Sequence, residues 1–121
     1  MSNIKKQSFE KLKEIFQKID SNDNSNYDHI AASFFYEDVS EKEIKDFLDN
    51  EESKFIEGMR VEDSYGGEGM GEDYWVVWYF PTADIYVKFH GWYQSYQGSE
   101  YEGMYLVEPR EVLVTQYFKI V

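Results

Sequence analysis

The sequence contains no cysteine among its 121 residues. Disulfide frameworks, thiolate metal sites and cysteine nucleophiles are therefore excluded. No stretch approaches the roughly 18 apolar residues that would span a bilayer. The opening Met1-Ser2-Asn3-Ile4-Lys5-Lys6 lacks the apolar run of a signal peptide. Together these absences predict a cytosolic protein in free solution. Histidine occurs only at positions 29 and 90, and Lys and Arg total 12 against 24 acids, for a net charge of −12. Such a chain repels free nucleic acid and anionic membrane surfaces, and it steers basic proteins toward itself.

What is present is acidity together with aromatics, which make up 19% of the chain. Disordered acidic tails are poor in the residues that offset ordering entropy, so a folded core is expected. The length suits a single domain, 1–121, with a helical part over 1–52 and a sheet part over 53–121. Residues 1–50 carry seven bases and eleven acids, a net −4. Residues 51–121 carry five and thirteen, a net −8.

Ile4, Leu12, Ile15, Phe16 and Ile19 recur at helical spacing and predict an amphipathic first helix. The polar run 20–26 breaks it. Tyr27, Ile30, Ala31, Phe34 and Phe35 share one face of a second helix over about 27–36, with Ser25 or Asn26 as its cap. Ser40 and Glu43 fit a capping box opening a third helix, with Ile44, Phe47 and Leu48 inward and Asp49-Asn50-Glu51-Glu52 as its end. Beyond residue 54 the period changes from 3.6 to 2. Strands are predicted over 55–65, 74–80, 85–90 and 111–121, with a turn at 81–84 and loops at 66–73 and 94–109. The fold class is α+β: three N-terminal helices on one face of a four-stranded antiparallel sheet.

The loop from Gly66 to Asp73 is the most unusual segment. It has no Lys and no Ser or Thr after its glycines, and it leads into a strand, so it is no phosphate loop. Asp63, Glu68, Glu72 and Asp73 offer oxygen ligands for Ca²⁺, but Gly71 stands where the calcium-binding repeat needs Asp. A mobile acidic hairpin loop without metal is the simpler expectation. His90 has no placed partner for catalysis, and no carboxylate pair stands out among 24 acids. The chain is expected to be no enzyme and to carry no cofactor. Three short helices cover one sheet face, which leaves Trp75 (or Trp78), Tyr86, Trp92 and Tyr96 as an aromatic patch on the other. Aromatic residues give contact area at low entropy cost. Only Lys88 lies near that patch, which argues against base stacking of single strands. A homodimer through the open face is the plainest use of it.

Four segments carry a likeness: Val61 to Gly69, Glu72-Asp73-Tyr74-Trp75, Gly91 to Gly98, and Val107-Glu108-Pro109. Together they resemble small acidic proteins encoded by tailed bacteriophages. The resemblance covers the C-terminal half and implies a viral protein acting in the host cytoplasm. With the charge, it leads to an acidic inhibitor of a host defence protein, of anti-CRISPR or anti-restriction type. Carboxylates would imitate the phosphate row of DNA, one charge per ~1.7 Å, on a basic effector or nuclease. The acidic candidates are Glu51, Glu52, Glu57, Glu62, Asp63, Glu68, Glu72 and Asp73. The alternatives are a small-ligand protein that sequesters a nucleotide signal on the aromatic patch, and a phage structural or accessory protein.

Overall fold

The computed structural model describes residues 3–21, 30–67, 69, 71–94 and 98–120. Among the described residues, four helical segments precede four strands: α1 (Asn3–Asp20), α2 (Ile30–Phe35), α3 (Glu41–Lys45), α4 (Asn50–Ile56), then β1 (Arg60–Tyr65), β2 (Asp73–Phe80), β3 (Ile85–Gln94) and β4 (Gly98–Val107). The strands form one antiparallel sheet in the order β1-β2-β3-β4. The class is therefore α+β with a meander sheet.

The core follows the apolar periodicity. Leu12, Ile15, Phe16 and Ile19 make one buried stripe on α1. Val76, Trp78 and Phe80 on β2 alternate with more exposed neighbours, and Ile85, Val87 and Phe89 on β3 are fully buried. Phe34 joins the layers. Its ring lies 5.0 Å from Phe16, 4.9 Å from Trp78, 5.9 Å from Phe80 and 5.3 Å from Phe89. The start of α2 is fixed by the last residue of α1: the Ile30 amide donates to Asp20 Oδ1 at 2.7 Å. Gly91 is required where α2 meets the sheet. A Cβ there would lie 2.8 Å from Phe35 Cζ and collide with the Glu100 carbonyl.

Several boundaries differ from the sequence expectation. Residues 27–29 and the proposed caps Ser25 and Asn26 lie outside the described residues; α2 is described from Ile30. Ser40 makes no side-chain cap hydrogen bond, and the helix it precedes has five residues. The capping box sits at Asp49 and Glu52 instead. Asp49 Oδ1 accepts from the Glu52 amide at 2.8 Å, and Glu52 Oε1 accepts from the Asp49 amide at 3.0 Å. The run 49–52 therefore starts a fourth helix and does not merely end the third. Phe55 is the buried end of α4, not the start of a strand. Gly58, at φ +80°, turns the chain out of α4 toward β1.

The largest correction concerns the last strand. Residues 111–120 form no strand, and the fourth strand lies at Gly98–Val107, within the segment expected to be a loop. Its register on β3 runs from Gln94↔Gly98 to Tyr86↔Val107, with one irregularity beside Glu102. Cross-strand pairing overrides the low strand propensity of its two glycines and two glutamates.

Candidate functional site

α1 and α2 pack on the sheet face that carries Val76, Trp78, Val87 and Phe89, through Phe16 and Phe34. The opposite face follows from register. Tyr79↔Tyr86, Val77↔Lys88 and Trp75↔His90 pair across β2 and β3, and Tyr86↔Val107 and Lys88↔Tyr105 pair across β3 and β4. Pairs directly opposite share a face, so these residues form one surface. Trp75, Val77, Tyr79, Tyr86, Lys88 and His90 are each partly exposed there.

The aromatic residues on this face are ordered by contact. Tyr65 stacks on Trp75 at 5.9 Å and 15° between planes. Tyr79 lies 4.5 Å from Tyr86. Two cations are placed over rings: Lys88 Nζ is 4.7 Å from the Trp75 centroid, and the Arg60 guanidinium is 4.8 Å from that of Tyr79. Arg60 also donates to Glu62 Oε1 at 2.9 Å. The Tyr79 hydroxyl donates to Asp84 Oδ1 at 3.0 Å, and that hydrogen bond holds the phenol above its ordinary pKa. His90 Nε2 lies 2.7 Å from Asp73 Oδ1, and its Nδ1 lies 3.7 Å from Glu102 Oε1. His90 thus stands between carboxylates of both neighbouring strands.

A shallow cleft of about 400 Å³ opens on this face. Trp75, Val77, Tyr86 and Val107 give it an apolar lining, and Lys88, Glu62, Asp63 and Glu108 supply charge. Sequence reasoning named Trp75, Tyr86, Glu62 and Asp63, and the structure brings these four together. Lys88 was named only as the lone base nearby, whereas it sits over Trp75 in the cleft. Val107 and Glu108 were missed because β4 was placed elsewhere.

The other candidates are not gathered at this cleft. Glu51, Glu52 and Glu57 belong to α4 and its cap. Their ion pairs run to Lys11 at 3.7 Å, Lys18 at 2.7 Å and Lys45 at 3.6 Å, within the helical layer. Asp73 pairs with His90, and Glu72 is exposed in the β1–β2 loop. Trp92 is half-buried beyond His90, opposite Asp73. Trp78, the alternative to Trp75, faces the core. Glu68 and Tyr96 lie outside the described residues.

Among the described residues, no three or more His, Asp or Glu side chains are placed to hold a metal ion. No helix among them is long and apolar enough to cross a membrane. No family model, curated protein or solved structure matches the chain.

Charge separates the layers. Residues 3–20, which form α1, hold five bases and three acids, a net +2. Residues 60–109, which contain the sheet, hold two bases and nine acids, a net −7. Both sheet bases, Arg60 and Lys88, are engaged with rings, and Arg60 with a carboxylate as well. The sheet therefore presents surplus carboxylates around aromatic contact area. Carboxylates and aromatic ring faces both attract cations.

Proposed function

We propose that this protein is an acidic inhibitor that binds the basic, nucleic-acid-binding surface of another protein through the open face of its sheet. The observation that carries this reading is the cleft that sets Trp75 and Tyr86 among Glu62, Asp63 and Glu108. A partner's arginine can lie on those rings while its guanidinium meets the rim carboxylates. The net −7 of residues 60–109 supplies long-range attraction to the same kind of surface. The resemblance to phage-encoded acidic proteins favours a host defence effector or nuclease as the target, in the host cytoplasm. No catalytic step is assigned to the chain.

The experiment is capture from bacterial lysate at low and high salt, followed by competition with duplex DNA or guide RNA. A nuclease or effector that salt releases and nucleic acid displaces supports the proposal. Retention of partners that nucleic acid does not displace overturns it.

One observation favours a second reading, a small-ligand site. The cleft volume of about 400 Å³ lies within the range of ligand pockets, and Lys88 sits over Trp75 at its side. Three carboxylates beside one Lys disfavour a phosphate-bearing ligand. Native mass spectrometry of the protein from its host separates the readings through the mass of any bound small molecule.

A further inference from the structure

We infer that residues 111–120 of one copy add as a fifth strand to the β4 edge of a second copy, giving a reciprocally exchanged dimer. The segment has no regular structure and lies open to solvent. Val112, Val114, Phe118, Tyr117 and Ile120 are 71–96% exposed, and Leu113 is completely so. Six large apolar side chains within nine residues make the kind of exposed apolar surface that marks an interaction site. Their pattern is that of a strand: Val112, Val114, Gln116, Phe118 and Ile120 fall on one side at period 2, four of the five apolar, with Leu113, Thr115, Tyr117 and Lys119 on the other.

The sheet offers two edges, and they differ. β1 reads Arg-Val-Glu-Asp-Ser-Tyr, is exposed throughout, and shifts register beside Glu62. Charged residues and a bulge protect an edge against pairing. β4 from Gly103 to Val107 reads Gly-Met-Tyr-Leu-Val and keeps a continuous register on β3. Met104 and Leu106 are only partly covered, although they pack against the core. A strand added there would lay Val112, Val114, Phe118 and Ile120 beside them and continue the core. The Gly98–Glu102 part of β4 carries two glutamates and the irregularity beside Glu102, so the added strand is placed along Gly103–Val107.

The segment's charge suits an acidic body, which every copy of this chain presents. Residues 110–121 hold Arg110 and Lys119 against Glu111, a net +1, whereas residues 1–109 carry −13. The connection disfavours the chain's own edge. Pro109 restricts Glu108 to extended conformations, against a tight reversal at that point. Arg110 is held on Glu108 at 2.8 Å, and the segment does not return to β4. Exchange of identical strands about a two-fold axis satisfies both edges at once.

The test uses the full chain in light scattering after gel filtration across micromolar concentrations, together with isotope-filtered NMR on a mixture of labelled and unlabelled copies. The expected result is a mass twice 14.5 kDa, with intermolecular contacts between residues 111–120 and the methyls of Met104 and Leu106. Val114→Asp with Phe118→Asp should weaken dimerisation by about 100-fold or more, since it sets charges against apolar surface. These side chains are exposed in the single copy, so far-UV circular dichroism of the variant monomer should still show the folded body. A wild-type monomer overturns the inference. So do a dimer that persists in the double variant and contacts to β4 that arise only within one chain.

Discussion

Trp78 donates its indole N–H to the carbonyl oxygen of Phe34 at 2.9 Å, and the two rings meet edge to face at 4.9 Å. The bond spans 44 residues and ties the end of α2 to the centre of the sheet. The Phe34 carbonyl also accepts from the Glu37 amide at 3.2 Å, so loss of the indole does not orphan it. Trp78→Phe should therefore cost about 1–2 kcal/mol, the scale of one buried hydrogen bond plus a small void. Trp78→Ala should cost about 3–5 kcal/mol. Urea unfolding followed by tyrosine and tryptophan fluorescence measures both.

The two capping candidates give opposite expectations. Asp49→Ala should destabilise by about 1 kcal/mol, because it removes one half of a formed box and leaves the Glu52 amide without that acceptor. Ser40→Ala should lie within roughly 0.5 kcal/mol of the parent, since its side chain makes no cap bond. Equal losses at both sites would contradict this assignment of the caps.

These sites also show where sequence reading succeeds and where it stops. The α1 stripe and the alternation of Ile85, Val87 and Phe89 were legible because burial alone sets the pattern. The run Asp49-Asn50-Glu51-Glu52 was ambiguous, since polar residues that end one helix also open the next. β4 was invisible because Gly98, Glu100, Glu102 and Gly103 read as loop, and only pairing with β3 makes them a strand. Residues 111–120 failed in the other direction. Strand propensity was present, but strand geometry needs a neighbour's hydrogen bonds, and a single copy does not supply them. For the cleft, residue types were readable on β1, β2 and β3. The proximity of His90 to Asp73, and of Val107 to Tyr86, depends on register and has no local signal.

Alkaline pH should reveal the packing of Tyr101. Burial pushes its phenol up to about 12, against about 10 in the unfolded chain. The folded state thus keeps the proton that the unfolded state releases first. Stability from this group is complete below about pH 10 and is lost as pH rises toward 12. The melting temperature should fall across that window, and Tyr101→Phe should flatten the fall. The variant keeps the ring that packs 5.7 Å from Phe35 and 6.4 Å from Phe89, so the comparison isolates the titration of the hydroxyl. An unchanged alkaline slope in the variant would assign the titration to another group.

Binding should separate charge from contact area on the open face. Glu62 and Asp63 are exposed on the edge strand at the rim of the cleft, so Glu62→Lys with Asp63→Lys should leave the fold intact. The double reversal should slow association with a basic partner and reduce the dependence of that rate on salt, because rim charges act mainly on encounter. Trp75→Ala should act on dissociation. Its ring supports Tyr65 and Lys88 and lines the cleft, and a central aromatic anchor is worth about 2 kcal/mol or more, roughly 30-fold in affinity. Reversal of Glu72 and Asp73 reports on the loop instead, and through Asp73 it also removes one of the two carboxylates beside His90. It should weaken capture less than the Glu62 and Asp63 pair, which flanks the anchor. Stopped-flow association and surface-based dissociation measurements at two ionic strengths give both rates. If the Glu62 and Asp63 reversal leaves association and its salt slope unchanged while Trp75→Ala still weakens binding, the interface is an apolar contact and the carboxylates serve only solubility.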